Sequence, residues 1–167
     1  MPYNTLIHKE IQMLTKTQLQ TEVQNLEAKL QEFREQLNQC KEVTIETASV
    51  GDTLEDGSIV LQKSNGLALL VAPKSTEVEA KWSKEFPEVF RVLKEQGFNP
   101  SQWFIPTKEQ LKLAYRNVPN EFSSTTYWSS TESNATFACN VYFFIGYASY
   151  NSKASTHCVR AFRCVTY

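Results

Sequence analysis

The sequence predicts an α+β protein in which a long N-terminal helix precedes a head built from strands, then helices, then strands. Three observations predict it. An apolar seam with a period of 3.5 residues runs through positions 19–40. An Asn-Gly turn between β-branched runs follows it. Capped helix starts then give way to a tail rich in alternating aromatic and small residues. Segregated helices and strands argue against an alternating α/β sheet. The expected organisation is an anchor and stalk over residues 1–42 and a head over residues 43–167.

The seam consists of Leu19, Val23, Leu26, Leu30, Phe33, Leu37 and Cys40, spaced alternately by four and three. That spacing keeps all seven on one stripe of a helix, the pattern of a coiled coil. Neither Gly nor Pro interrupts residues 17–42, and Thr17 with Gln20 has capping-box spacing. The helix would be about 39 Å long at about 1.5 Å per residue. Ile7, Ile11 and Leu14 are out of register with it, so a break near Thr15–Thr17 and a separate short anchor are expected. In a parallel pairing the flanks oppose Glu22 to Glu27 and Lys29 to Arg34. Such exposed repulsions cost about 0.3–0.5 kcal/mol each, against about 1.5–3 kcal/mol for burying each Leu. The apolar seam prevails. A homo-oligomer is expected, a trimer in preference because Phe33 is bulky, while the seam alone leaves strand number and direction open.

In the head, VTIETASV (43–50) is β-branched and partly alternating. IVLQK and LALLV flank Asn65-Gly66, a hairpin signal. Asp56-Gly57 marks a further turn, without the acidic series of a calcium loop. Thr76 with Glu79 has capping-box spacing, so a helix is expected to start there. Pro87 restarts a helix that Gly97 ends, and Thr107 with Gln110 caps KEQLKLAYRN, which stops before Pro119. Strand character returns from Phe137 to Thr166.

With 41% hydrophobic and 21% charged residues and a net charge of -1, the chain has an ordinary globular composition and no basic field for nucleic acid. No Asp or Glu follows Glu132, whereas Lys153, Arg160 and Arg163 do; either the arginines face the core or an anion is bound. No apolar run approaches the roughly 18 residues that span a bilayer, so no membrane insertion is expected, and the N-terminus lacks the pattern of a secretory signal. Cys40, Cys139, Cys158 and Cys164 have no CxxC spacing. Cys158 and Cys164 would lie about 20 Å apart in one strand, too far for a disulfide. Cys139 can pair with either, or all can be small buried thiols. His8 and His157 have no metal-ligand spacing, and no nucleophile elbow, phosphate loop or paired carboxylate is present. No enzyme activity, catalytic residue, metal or cofactor is expected.

The recognition signal lies in YWSSTESNATFACNVYFFIGYASYNSKASTHCVRAFRCV. Strand alternation puts Phe137, Cys139, Val141, Phe143 and Ile145 on one face, read as core. Ala138, Asn140, Tyr142 and Phe144 take the other, which turns Asn140 and Tyr142 towards solvent or a partner. The loop expected next, from Tyr147 through Ser149, Tyr150 and Asn151 to Lys153, has the Tyr/Ser/Asn composition of adaptable binding surfaces.

WFIPTKEQLKLAY, then YWSSTE, then CVRAFRCV resemble the C-terminal domain family of bacterial collagen-like adhesins over roughly residues 50–167. The resemblance implies a C-type-lectin-like fold, similar also to retroelement variable proteins and phage-fibre receptor-binding heads. It implies structural roles for Trp128, Ser129, Ser130, Arg160 and Arg163, and display of Asn134, Asn140, Tyr142, Tyr147, Tyr150 and Asn151. The collagen-like stalk is replaced by the heptad helix. No EPN or QPD triplet is present, so calcium-dependent sugar binding is not expected, and the catalytic cysteine pair of the similarly folded formylglycine-generating enzymes is missing. The expected function is a virion fibre or adhesin, assembled in the host cytoplasm. Its N-terminus would hold a capsid or tail protein, and its head would attach to a cell-surface glycan or protein. The alternative is a purely structural phage capsid or tail decoration.

Overall fold

The computed structural model describes residues 16, 18–32, 34 and 43–167. Met1–Glu42 and Val43–Tyr167 are separate compact units. In the first, residues 18–32 are helical (α1). Leu19, Val23, Leu26 and Leu30 are all more than half exposed on it, so the stripe has no cover within the described chain. Ile7, Ile11, Leu14, the Thr17 cap, Phe33, Leu37 and Cys40 lie outside the described residues.

The second unit is α+β. Its elements are β1 (Ile59–Ser64), β2 (Leu67–Val71), β3 (Val78–Lys81), α2 (Pro87–Glu95), α3 (Lys108–Asn117), β4 (Thr126–Glu132), β5 (Phe137–Tyr142), β6 (Tyr147–Ser152), β7 (Thr156–Val159) and β8 (Phe162–Thr166). They form a three-stranded sheet β1-β2-β8 and a five-stranded sheet β3-β7-β4-β5-β6. Pairing is antiparallel except where β4 meets β7.

Local chemistry sets several boundaries. Asn65 and Gly66 both have positive φ, 52° and 73°, which the two-residue β1–β2 turn requires. Thr107 and Gln110 form a reciprocal capping box at the start of α3. Pro87 occupies the first turn of α2, and Gly97, with φ 87°, follows its end.

Three sequence expectations are corrected. Residues 43–50 form turns rather than a strand; Lys63 Nζ donates to the carbonyls of Ile45, Glu46 and Ala48 and holds them away from a ladder. No helix starts at Thr76. Lys74–Thr76 is a single 3-10 turn, and Val78–Lys81 pairs with β7 instead. Tyr147–Ser152 is not a loop but a strand, paired with β5 at all six positions.

Both faces of the five-stranded sheet are covered over much of their area. On the first, Tyr127, Val141 and Cys158 pack with Leu111 and Ala114 of α3 and with Ile59, Leu61, Val71 and Phe162 of the other sheet. On the second, Trp128, Ala138 and Val159 pack with Phe86, which caps α2, and with Val89 and Leu93 within it. Arg160 is fully buried; its Nε donates to Ala72 O at 2.7 Å, Nη1 donates to Glu121 O, and the guanidinium lies over Phe122. Arg163 pairs with Asp56 and lies over Trp103. The cationic tail is therefore engaged within the fold. Cys139 and Cys158 are buried and Cys164 exposed, all three as free thiols. No described helix is long and apolar enough to cross a membrane.

Candidate functional site

The β5–β6 hairpin decides which side chains share a face. Its register sets Tyr142 opposite Tyr147, Asn140 opposite Ser149, and Ala138 opposite Asn151. Directly opposed residues point the same way. Tyr142, Asn140, Tyr147, Ser149 and Asn151 therefore share the second face, that of Trp128, which lies opposite Asn140 on β4. Tyr150 pairs with Cys139 and points to the first face, where α3 lies. The two tyrosines expected to act together thus lie on opposite sides of the sheet.

The turn before β6 is set by Gly146. Its φ is +70°, and a Cβ there would lie 2.2 Å from Tyr115 Cε1 on α3. The backbone can approach α3 this closely only as glycine. Phe144 and Ile145 are consequently left exposed at the tip, with Tyr147 61% exposed beside them. Ile145 and Phe137, expected in the core, are both surface residues. Alternation held for Cys139, Val141 and Phe143, but β5 ends outside the helix-covered zone.

Asn140 overturns the expectation that it faces solvent: it is 0% exposed, and neither Oδ1 nor Nδ2 has a hydrogen-bond partner among the described residues. The reason is its position on an interior strand, between Trp128 and Ser149. Tyr142 is partly buried, and its hydroxyl donates to Asn151 Oδ1 at 3.2 Å. Asn151 Nδ2 in turn reaches His157 Nε2 at 2.8 Å. With Oδ1 accepting from Tyr142, Nδ2 donates and Nε2 accepts, the arrangement that suits a neutral His157. Its ring lies 4.6 Å from that of Trp128. Burial holds the His157 pKa below its ordinary value. Sequence reading missed His157 because a lone histidine without a metal-ligand partner carried no signal.

Other expected contacts are engaged elsewhere. Asn134 Oδ1 accepts from the backbone N–H groups of Thr136 and Phe137, both at 2.9 Å, and so shapes the β4–β5 turn. Lys153 pairs with Glu132 and lies 4.3 Å from the Trp82 ring centre. The site that remains is Asn140, Tyr142, Tyr147, Ser149, Asn151 and His157. Ser129 and Ser130 belong to the framework: Ser129 Oγ donates to Cys139 O at 2.8 Å, and Ser130 N–H donates to Pro106 O at 2.8 Å.

The chemistry of this face is neutral. FACNVY and YASYNS contain no charged residue. Burial pushes the Cys139 thiol up and the Cys158 thiol to about 12, so both are protonated at neutral pH. Among the described residues, no group of three or more His, Cys, Asp and Glu side chains comes together. The face can offer hydroxyl and amide hydrogen bonds and aromatic surface. No protein-family model matches the chain, and no curated protein matches it in sequence.

Proposed function

We propose that this chain is a non-enzymatic display protein, a virion fibre or adhesin, in which an oligomerising helix carries a C-type-lectin-like head that recognises a cell-surface glycan or protein. The observation that carries the reading is the second face of the β5–β6 hairpin. It gathers Tyr142, Tyr147, Ser149 and Asn151 in one neutral patch with the buried Asn140 beneath the same face, and the helix contact of β6 comes from α3 on the other face. Tyrosine gives large contact area at small entropic cost, and short polar side chains give adaptable hydrogen bonds. The exposed stripe Leu19, Val23, Leu26 and Leu30 supports self-association through α1 as a coiled coil, with a trimer expected. Several linked heads raise avidity without new contacts. The N-terminal segment would attach to a capsid or tail protein during assembly in the host cytoplasm.

The test is saturable binding of the fluorescent full-length chain to a panel of bacterial cells. Tyr147→Ala should weaken binding about tenfold or more, the usual consequence of truncating an aromatic anchor. Tyr150→Ala separates the two faces, and a loss with Tyr150→Ala alone would move the contact to the first face. Absence of saturable binding across the panel, with virion assembly lost on deleting the chain, would favour a purely structural decoration.

A further inference from the structure

Asn140 has a donor pair and an acceptor that no described residue uses. Its surroundings are specific. Trp128 lies opposite on one side and Ser149 on the other. Tyr142, two residues along the same strand, bonds to Asn151, which sits opposite Ala138. Positions 142 and 138 are about 13 Å apart along the strand at about 3.3 Å per residue. To close that gap the Tyr142 side chain must lie across the level of Asn140. Asn151 continues the bridge to His157, whose ring rests against Trp128. A strap of Tyr142, Asn151 and His157 thus roofs an unpaired amide.

We infer that this is a metal-free binding site for a neutral polyhydroxylated ligand, a hexose unit, with Asn140 as its floor and Tyr142 as a roof that moves aside. The inference rests on the recognition reading above and names its ligand class. A primary amide presents an acceptor and a donor side by side. Two adjacent sugar hydroxyls match it, one donating to Oδ1 and the next accepting from Nδ2. An ion would find no opposite charge on β5 or β6, and a wholly apolar ligand would leave Asn140 unpaired. Ser149 and Asn151 supply further hydroxyl and amide groups on the same face. The rings of Tyr142 and Phe144, 5.4 Å apart, and the exposed Tyr147 offer aromatic surface for the C–H face of a pyranose. Entry exchanges the Tyr142–Asn151 hydrogen bond for bonds to the ligand, a replacement between neutral groups.

The experiment uses the full-length chain, 15N-labelled on asparagine, in chelator. The probes are methyl α-mannopyranoside and methyl β-galactopyranoside, followed through side-chain amide resonances. The Asn140 NH2 pair should shift saturably with at least one probe. Asn140→Leu should weaken that binding about tenfold or more, and Tyr142→Phe, which unties the roof, should tighten it about threefold. The inference is overturned if neither hexoside gives a saturable shift at Asn140, if Asn140→Leu binds as the parent does, or if the Asn140 amide shows a persistent bound-water contact that sugar does not displace. If the hexosides fail while cell binding persists, recognition stands and the sugar site is wrong. If cell binding also fails, both fall.

Discussion

Replacing Asn140 by Leu should make the head more stable. Two polar atoms are buried at this position without partners, and each unsatisfied group costs about 1–3 kcal/mol. Leu keeps the branched shape at the γ position and removes both. Its methyl groups are bulkier than the amide, and overpacking against Trp128 and Tyr142 takes back about 1–3 kcal/mol. The balance is a gain of about 1–3 kcal/mol. For a head of this size a kilocalorie moves the melting temperature by about 3–5 °C, so a rise of about 3–15 °C is expected. Differential scanning calorimetry of the full-length chain, with chemical denaturation to confirm the sign, measures it. A fall of about 3 °C or more would refute the reasoning, because Asn140 would then have a stabilising partner in solution.

Four other outcomes are expected. Lys63→Met removes three donors to the carbonyls of Ile45, Glu46 and Ala48 and should cost about 1.5–3 kcal/mol, read as faster proteolysis within residues 43–50. Gly146→Ala forces a Cβ against Tyr115 at positive φ and should destabilise by about 1–3 kcal/mol, measured by urea unfolding. Leu26→Lys with Leu30→Lys breaks the seam, where each buried Leu contributes about 1.5–3 kcal/mol; sedimentation should show an oligomer becoming a monomer, and an unchanged mass would remove the coiled coil. The folded pKa of His157 is depressed below 6.5, so the unfolded chain binds the proton more readily. Its contribution is present above that value and is lost as pH falls through the folded pKa; His157→Gln should flatten the corresponding fall in melting temperature as pH drops below 6.5.

Features fixed by neighbours in sequence were readable, and those fixed by distant partners were not. The Asn65-Gly66 turn, the Thr107–Gln110 box and the Pro87-to-Gly97 limits each depend on a few adjacent residues. Thr76 and Glu79 carry an equally good local pattern, yet Glu79 pairs across to Cys158 in β7 and the helix never starts. The composition of YASYNS reads as a loop because Tyr, Ser and Asn serve loops and edge strands alike; only its register with β5 distinguishes them. Alternation placed Asn140 and Tyr142 on one face correctly. It carried no information about what covers that face, which depends on Trp128 from β4 and on the reach of Tyr142 to Asn151.

The unpaired amide cannot be relieved by a small adjustment of the backbone, because its setting is fastened on each side. Trp128 Nε1 donates to Ala80 O at 3.1 Å, and Trp82 Nε1 donates to Ser129 O at 2.8 Å. Ser129 Oγ donates to Cys139 O at 2.8 Å, tying β4 to the residue before Asn140. On the other side, β6 pairs with β5 without a break from Phe137 to Tyr142. A strand held in this way keeps Asn140 inward whether or not the amide finds a partner, so the cost falls on the stability of the free head. At the proposed site the same restraint would preset the amide for a ligand, since little further ordering would be needed at the floor. Binding there would replace an unsatisfied group with a satisfied one, a gain that a solvent-exposed asparagine, already bonded to water, could not provide.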